Sequence, residues 1–180
     1  MQKGLMIFFF LAAIGLFGWA MNDYASSGEE VLSKPLAGGE GRMTVGPLDH
    51  RMSPVRVFLS VDGEIDLINE NNDAYIYTIS FKDREGQVVL GEKHTHSEKR
   101  SDRASGFETF SNNHIIGTAE ITRQGHYNLD WKISPMRATL TGYAISIRRN
   151  VEGLNVPMVI AAGICFVLGW VTIFLGRRRH

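Results

Sequence analysis

The sequence predicts an all-β antiparallel sandwich of jelly-roll or Ig-like type, with about eight strands, carried between an N-terminal and a C-terminal transmembrane helix. Three observations lead there. Two long uncharged apolar runs lie at the ends of the 180 residues. The segment between them alternates apolar and polar residues with a period of two, and turn residues interrupt that alternation at roughly 8 to 12 residue intervals.

The first run, Gly4 to Met21, has 18 residues without a charge, and the second, Leu154 to Gly176, has 23. A helix rises about 1.5 Å per residue, so about 20 residues cross a hydrocarbon core of about 30 Å. The second run reaches this with ease and the first only just. Residues 1–21 also fit a cleaved signal peptide, with Lys3 as the basic region and Gly18-Trp19-Ala20 as a small-x-small site. The apolar character continues through Trp19 and Met21, however, and an interfacial Trp suits a retained helix. Pro157 falls in the first turn of the second helix, where its missing N–H leaves no bond unmade.

Charge sets the expected orientation. The chain carries 19 Lys+Arg and 19 Asp+Glu, and its mean hydropathy of -0.08 would suit a soluble protein. No acidic residue precedes Asp23 or follows Glu152, whereas Lys3, Arg177, Arg178 and Arg179 flank the apolar runs, leaving 15 basic and 19 acidic residues between them. Basic flanks favour the cytoplasmic side. The expected topology is a two-pass protein of the bacterial inner membrane, with both ends and the basic tail 177–180 in the cytoplasm and the central region in the periplasm. Without a basic patch in its globular part, the chain is not expected to bind nucleic acid.

The central region divides in two. Residues 22–54 hold Gly28, Gly38, Gly39, Gly41, Gly46, Pro35, Pro47 and Pro54 with little periodicity, and read as a flexible tether. Residues 55–150 read as the exported sandwich. Val55, Val57, Leu59 and Val61 alternate with Arg56, Phe58 and Ser60, Tyr75, Tyr77, Ile79 and Phe81 with Ile76, Thr78 and Ser80, and Tyr127, Leu129, Trp131 and Ile133 with Asn128, Asp130 and Lys132. Weaker strands are expected at 64–68, 87–90, 107–110, 115–122 and 139–147. Turns are expected at Asp62-Gly63, Asn69 to Asp73, Asp83 to Gly86, Asn112-Asn113 and Gln124-Gly125. The charged stretch Glu92 to Ser105 reads as a solvated loop. The one cysteine, Cys165, lies in the second apolar run, so the exported domain has no disulfide and depends on its core.

One spacing carries coordination chemistry. In an extended segment His94 and His96 project to the same face, so both imidazoles can bind one Zn or Cu ion, with His114 or His126 completing the site. No other cofactor is implied. The sequence has no Gly-x-Ser-x-Gly elbow, no phosphate-binding Gly-x-x-x-x-Gly-Lys loop and no exported Cys nucleophile. The acidic pairs Glu64 with Asp66 and Asp62 with Glu64 read as wet surface. Tyr75, Tyr77 and Trp131 read as core in preference to a carbohydrate platform.

Within the apolar runs Ala12, Gly15 and Gly18 recur every third residue, and Ala162, Gly163 and Gly169 form a second small-residue patch. Small side chains let helices approach closely in lipid, which suits packing against each other, a second copy or another integral membrane protein. Neither run holds an Asp, Glu, Lys, Arg or His, which disfavours an ion pathway. The functional expectation is a non-catalytic accessory or scaffold subunit of a larger membrane complex. The alternative is a membrane-anchored ligand- or metal-binding module built around His94 and His96.

Overall fold

A computed structural model describes residues 2–67, 72–99 and 106–177. The chain forms two units: a β domain, Gly28–Val151, and a pair of helices made from the flanking segments.

The β domain has eight strands: β1 (Glu29–Pro35), β2 (Glu40–Leu48), β3 (Val55–Asp66), β4 (Asn72–Lys82), β5 (Val88–Lys99), β6 (Phe107–Ala119), β7 (Gly125–Pro135) and β8 (Thr139–Arg149). They make two four-stranded antiparallel sheets in the orders β1-β8-β3-β6 and β2-β7-β4-β5. In the pairs β1 with β8, β2 with β7, β3 with β6 and β4 with β5, the strand numbers always add to nine. That is the pattern of one long antiparallel ribbon, bent at the β4–β5 turn and wound on itself, and it makes the sandwich a jelly roll. In an Ig-like sandwich the first two strands share a sheet. Here β1 and β2 lie in different sheets, which settles the choice between the two types.

The period-two alternation places the core as expected. Val57, Leu59 and Val61 of β3, Ile79 and Phe81 of β4, Leu129 of β7, and Ile145 and Ile147 of β8 are all fully buried between the sheets. Each such side chain contributes about 1.5 to 3 kcal/mol relative to exposure. Phe81 and Tyr127 stack with centroids 5.2 Å apart. The Trp131 indole N–H donates to Gly38 O at 2.9 Å, so its polar edge is satisfied inside an apolar layer. The β4–β5 turn is held by buried Asp83, whose carboxylate accepts from the N–H groups of Glu85 (3.0 Å) and Gln87 (2.8 Å).

Three expectations are corrected. The tether at 22–54 is absent: α1 runs on to Ser26, and β1 and β2 supply an edge strand to each sheet. Prolines and glycines are tolerated there because edge strands leave half their backbone groups outside the ladder. The loop at 92–105 is largely strand, since β5 extends to Lys99, and residues 100–105 lie outside the described residues. Finally, Asp62-Gly63 and Asn112-Asn113 are not turns. Each lies inside a long strand, and β3 and β6 pair continuously through both, so two pairs of expected short strands are two single strands. The strand number is still eight, because β1 and β2 stand in place of the two extra strands that turns at Asp62-Gly63 and Asn112-Asn113 would create.

The helical unit consists of α1 (Gln2–Ser26) and α2 (Val156–Arg177). Both contain stretches long and apolar enough to cross a membrane, Gly4–Ser26 and Val156–Phe174. Asn155 caps α2 by accepting the Met158 N–H at 3.1 Å, satisfying one of the donors left unpaired in the first turn. The helices run antiparallel. Phe10 near the start of α1 packs edge-on against Phe166 and Trp170 of α2, and at the other end Glu152 N–H donates to Ser27 Oγ at 3.1 Å.

Candidate functional site

In the β domain, β5 and β6 are the edge strands that close one side of the sandwich, one from each sheet. The inner face of β4 sets the geometry of that side. Asp73, Tyr75 and Tyr77 stand directly opposite Glu98, His96 and His94 of β5, and all share one face. Asn112 and His114 of β6 approach from the other sheet.

The result is a layered cluster. Tyr75 lies against the His96 ring at 4.8 Å between centroids, and its hydroxyl is 2.5 Å from His114 Nε2. His96 and His114 meet edge to face at 5.0 Å, and Tyr77 sits 5.0 Å from His114 and 5.6 Å from His94. Beneath them the Asp73 carboxylate is fully buried. It accepts the Glu98 N–H at 3.0 Å and the Asn112 amide N–H at 3.0 Å, and His96 Nε2 stands 3.4 Å away. The Asn112 amide nitrogen is also 3.1 Å from His96 Nε2.

The electrostatics follow from this crowding. Burial lowers the His114 pKa to about 4, with the neighbouring His96 and His94 acting in the same direction and Asp73 opposing. Burial, aided by Glu92, raises Tyr77 to about 12. At neutral pH His114 is therefore an uncharged imidazole and Tyr77 an un-ionised phenol. Neutral imidazole is the form that accepts protons or binds metal.

Of the four histidines named as metal ligands, the fold brings together His94, His96 and His114. His126 is elsewhere, at the start of β7 in a cleft with Asp83, Arg84, Glu85 and Arg123. The ligand atoms of Asp73, His96 and Glu98 lie within 4.8 Å of one another, the one such metal-competent group among the described residues. Asp73 and Glu98 were not visible as site residues in the sequence, because Asn69 to Asp73 reads as a turn and Glu98 as part of a solvated loop. The available signal was the matching alternation of Tyr75-x-Tyr77 and His94-x-His96, which suits two strands laid side by side.

In the helical unit Gly169 abuts the Phe10 ring, where a Cβ would come within 3.0 Å, and Ala162 is buried. Ala13 and Ala20 are the buried small residues of α1, whereas Ala12 is only half-buried and Gly15 and Gly18 face outward. Gly18 and Gly163 line an apolar groove of about 530 Å³ together with Ala13, Phe17, Ala162 and Phe166. Of the basic flanking residues, Lys3 and Arg177 fall within the helices, while Arg178 and Arg179 lie outside the described residues.

No family model and no curated protein matches the chain. Among solved structures it is similar to a chain of infectious bursal disease virus, Gx strain, at 12% identity over 74% of this chain and 33% of that one, with a TM-score of 0.30. It is also similar to the CBM22-1 xylan-binding domain from Paenibacillus barcinonensis, at 12% identity over 71% and 97% of the two chains, with a TM-score of 0.29. The chain thus spans about a third of the viral chain. At these scores the likenesses carry no argument about function, and the fold class rests on the strand order.

Proposed function

We propose that this chain is a two-pass inner-membrane protein that presents its jelly roll to the periplasm and serves as a non-catalytic accessory or scaffold subunit of a larger membrane complex. The supporting observation is the helix pair. Its two members are antiparallel, which suits basic ends on one side of the bilayer, and they meet through Phe10, Phe166, Trp170 and Gly169. A Cβ built on Gly15, Gly18 or Gly163 meets nothing within 4 Å, so these glycines leave backbone open for a further helix.

The linkers fit the same role. Two residues, Ser27 and Gly28, separate α1 from β1, and six, Asn150 to Asn155, separate β8 from α2. Neither span has the length of a free tether. Pull-down of the full chain in mild detergent is expected to recover a stoichiometric integral membrane partner, and bulky replacement of Gly18 and Gly163 with Leu to release it. Recovery of the chain as a lone monomer at native expression would overturn the reading.

A further inference from the structure

We propose that Asp73, His96 and Glu98 form a binding site for Zn²⁺ or a similar divalent transition metal on the inner face of the β4–β5 edge. The inference does not depend on the membrane-complex reading. The first argument is spacing. Metal–ligand bonds of about 2.0 to 2.2 Å in a tetrahedral site set neighbouring donor atoms about 3.4 Å apart. His96 Nε2 and Asp73 Oδ1 stand 3.4 Å apart, beyond the usual hydrogen-bond range yet at the edge length of such a tetrahedron. The Glu98 carboxylate reaches within 4.8 Å of both.

The second argument is charge. Asp73 and Glu98 are directly opposed cross-strand partners, and like charges in that position repel. Asp73 is, moreover, fully buried. A divalent cation between them turns the repulsion into attraction.

The third argument is preorganisation. Asp73 is oriented by the Glu98 N–H and the Asn112 amide, and the His96 ring lies tilted against Tyr75 with centroids 4.8 Å apart. The Asn112 amide nitrogen also stands 3.1 Å from His96 Nε2, so one side chain from β6 touches both the carboxylate and the imidazole. The imidazole in the donor set favours Zn, Cu or Ni over Mg or Ca.

The test uses the full chain in detergent, purified without a polyhistidine tag and titrated with Co²⁺ as a spectroscopic probe, then with Zn²⁺ as competitor. One saturable equivalent is expected, displaced by Zn²⁺. His96→Ala and Glu98→Gln should each weaken binding about tenfold or more, while His126→Ala leaves it unchanged. Zn²⁺ should also raise the thermal midpoint of the unmutated chain and not that of His96→Ala. Absence of saturable Co²⁺ binding, or binding that survives both His96→Ala and Glu98→Gln, would sink the proposal. Both replaced side chains reach solvent, so circular dichroism can establish that each variant is folded before the titration is read.

Discussion

Strands β5 and β7 both hydrogen-bond β4, and both alternate with the same period, yet β7 builds core and β5 builds the polar cluster proposed as a site. From β7, Leu129, Trp131 and Ile133 stand opposite Phe81, Ile79 and Tyr77 and complete an apolar layer. From β5, Leu90, Glu92, His94 and His96 stand opposite Phe81, Ile79, Tyr77 and Tyr75, so the inner face turns from apolar to polar along one strand. The difference is position in the sheet. β7 lies between β2 and β4, whereas β5 is an edge that water reaches. Tyr75 suits that boundary, with an apolar ring in the core and its hydroxyl on His114.

The largest test of this contrast concerns the edges themselves. If β1 and β2 are structural strands, residues 28–151 should unfold in one cooperative thermal transition by circular dichroism, and residues 42–150, which lack β1 and the start of β2, should show none. Equal midpoints for the two fragments would break the account of the edges. Next, Leu129→Ala should cost about 2 to 5 kcal/mol in chemical denaturation, because it opens a cavity in a sealed layer, while His94→Ala on the exposed edge should stay within about 0.5 kcal/mol.

A somewhat smaller loss is expected at Gly63, where β3 passes under the Phe110 ring. A Cβ there would lie 2.8 Å from the Thr139 carbonyl and collide with that ring, so Gly63→Ala should cost about 1 to 3 kcal/mol in the same assay. The smallest effect is in pH. The His114 pKa of about 4 in the folded state lies below its ordinary 6.5, so folding favours the neutral ring. That contribution is complete above pH 6.5 and is lost as pH falls towards 4. The thermal midpoint should therefore fall across this window, and His114→Gln should flatten the slope. An unchanged slope would mean that the ring is not held neutral by its surroundings.

Much of the fold was legible along the chain. The inward residues of β3, β4 and β7 follow directly from period-two alternation, because a strand between neighbours on both sides must bury one face. Edge strands obey a weaker rule. β1 has one neighbour, and its residues are mostly exposed, so Glu29 to Pro35 carries no apolar stripe. The same weakness hid β5, whose charged end resembles a loop until β4 is placed beside it. Gly63 and Asn112 read as turn residues because their composition is that of turns, but tight packing under Phe110 and the hydrogen bond to Asp73 are what require them.

The sequence by itself determined the two apolar helices, the antiparallel β class and the core stripes, since each follows from local periodicity and the length of uncharged runs. Tertiary structure alone decided the jelly-roll winding, because strand order depends on which strands meet and not on any one strand's pattern. It also decided the site. His96 is 23 residues from Asp73 and Asn112 is 16 further on, and only the pairing of β4 with β5, closed over by β6, turns those separations into contacts of about 3 Å.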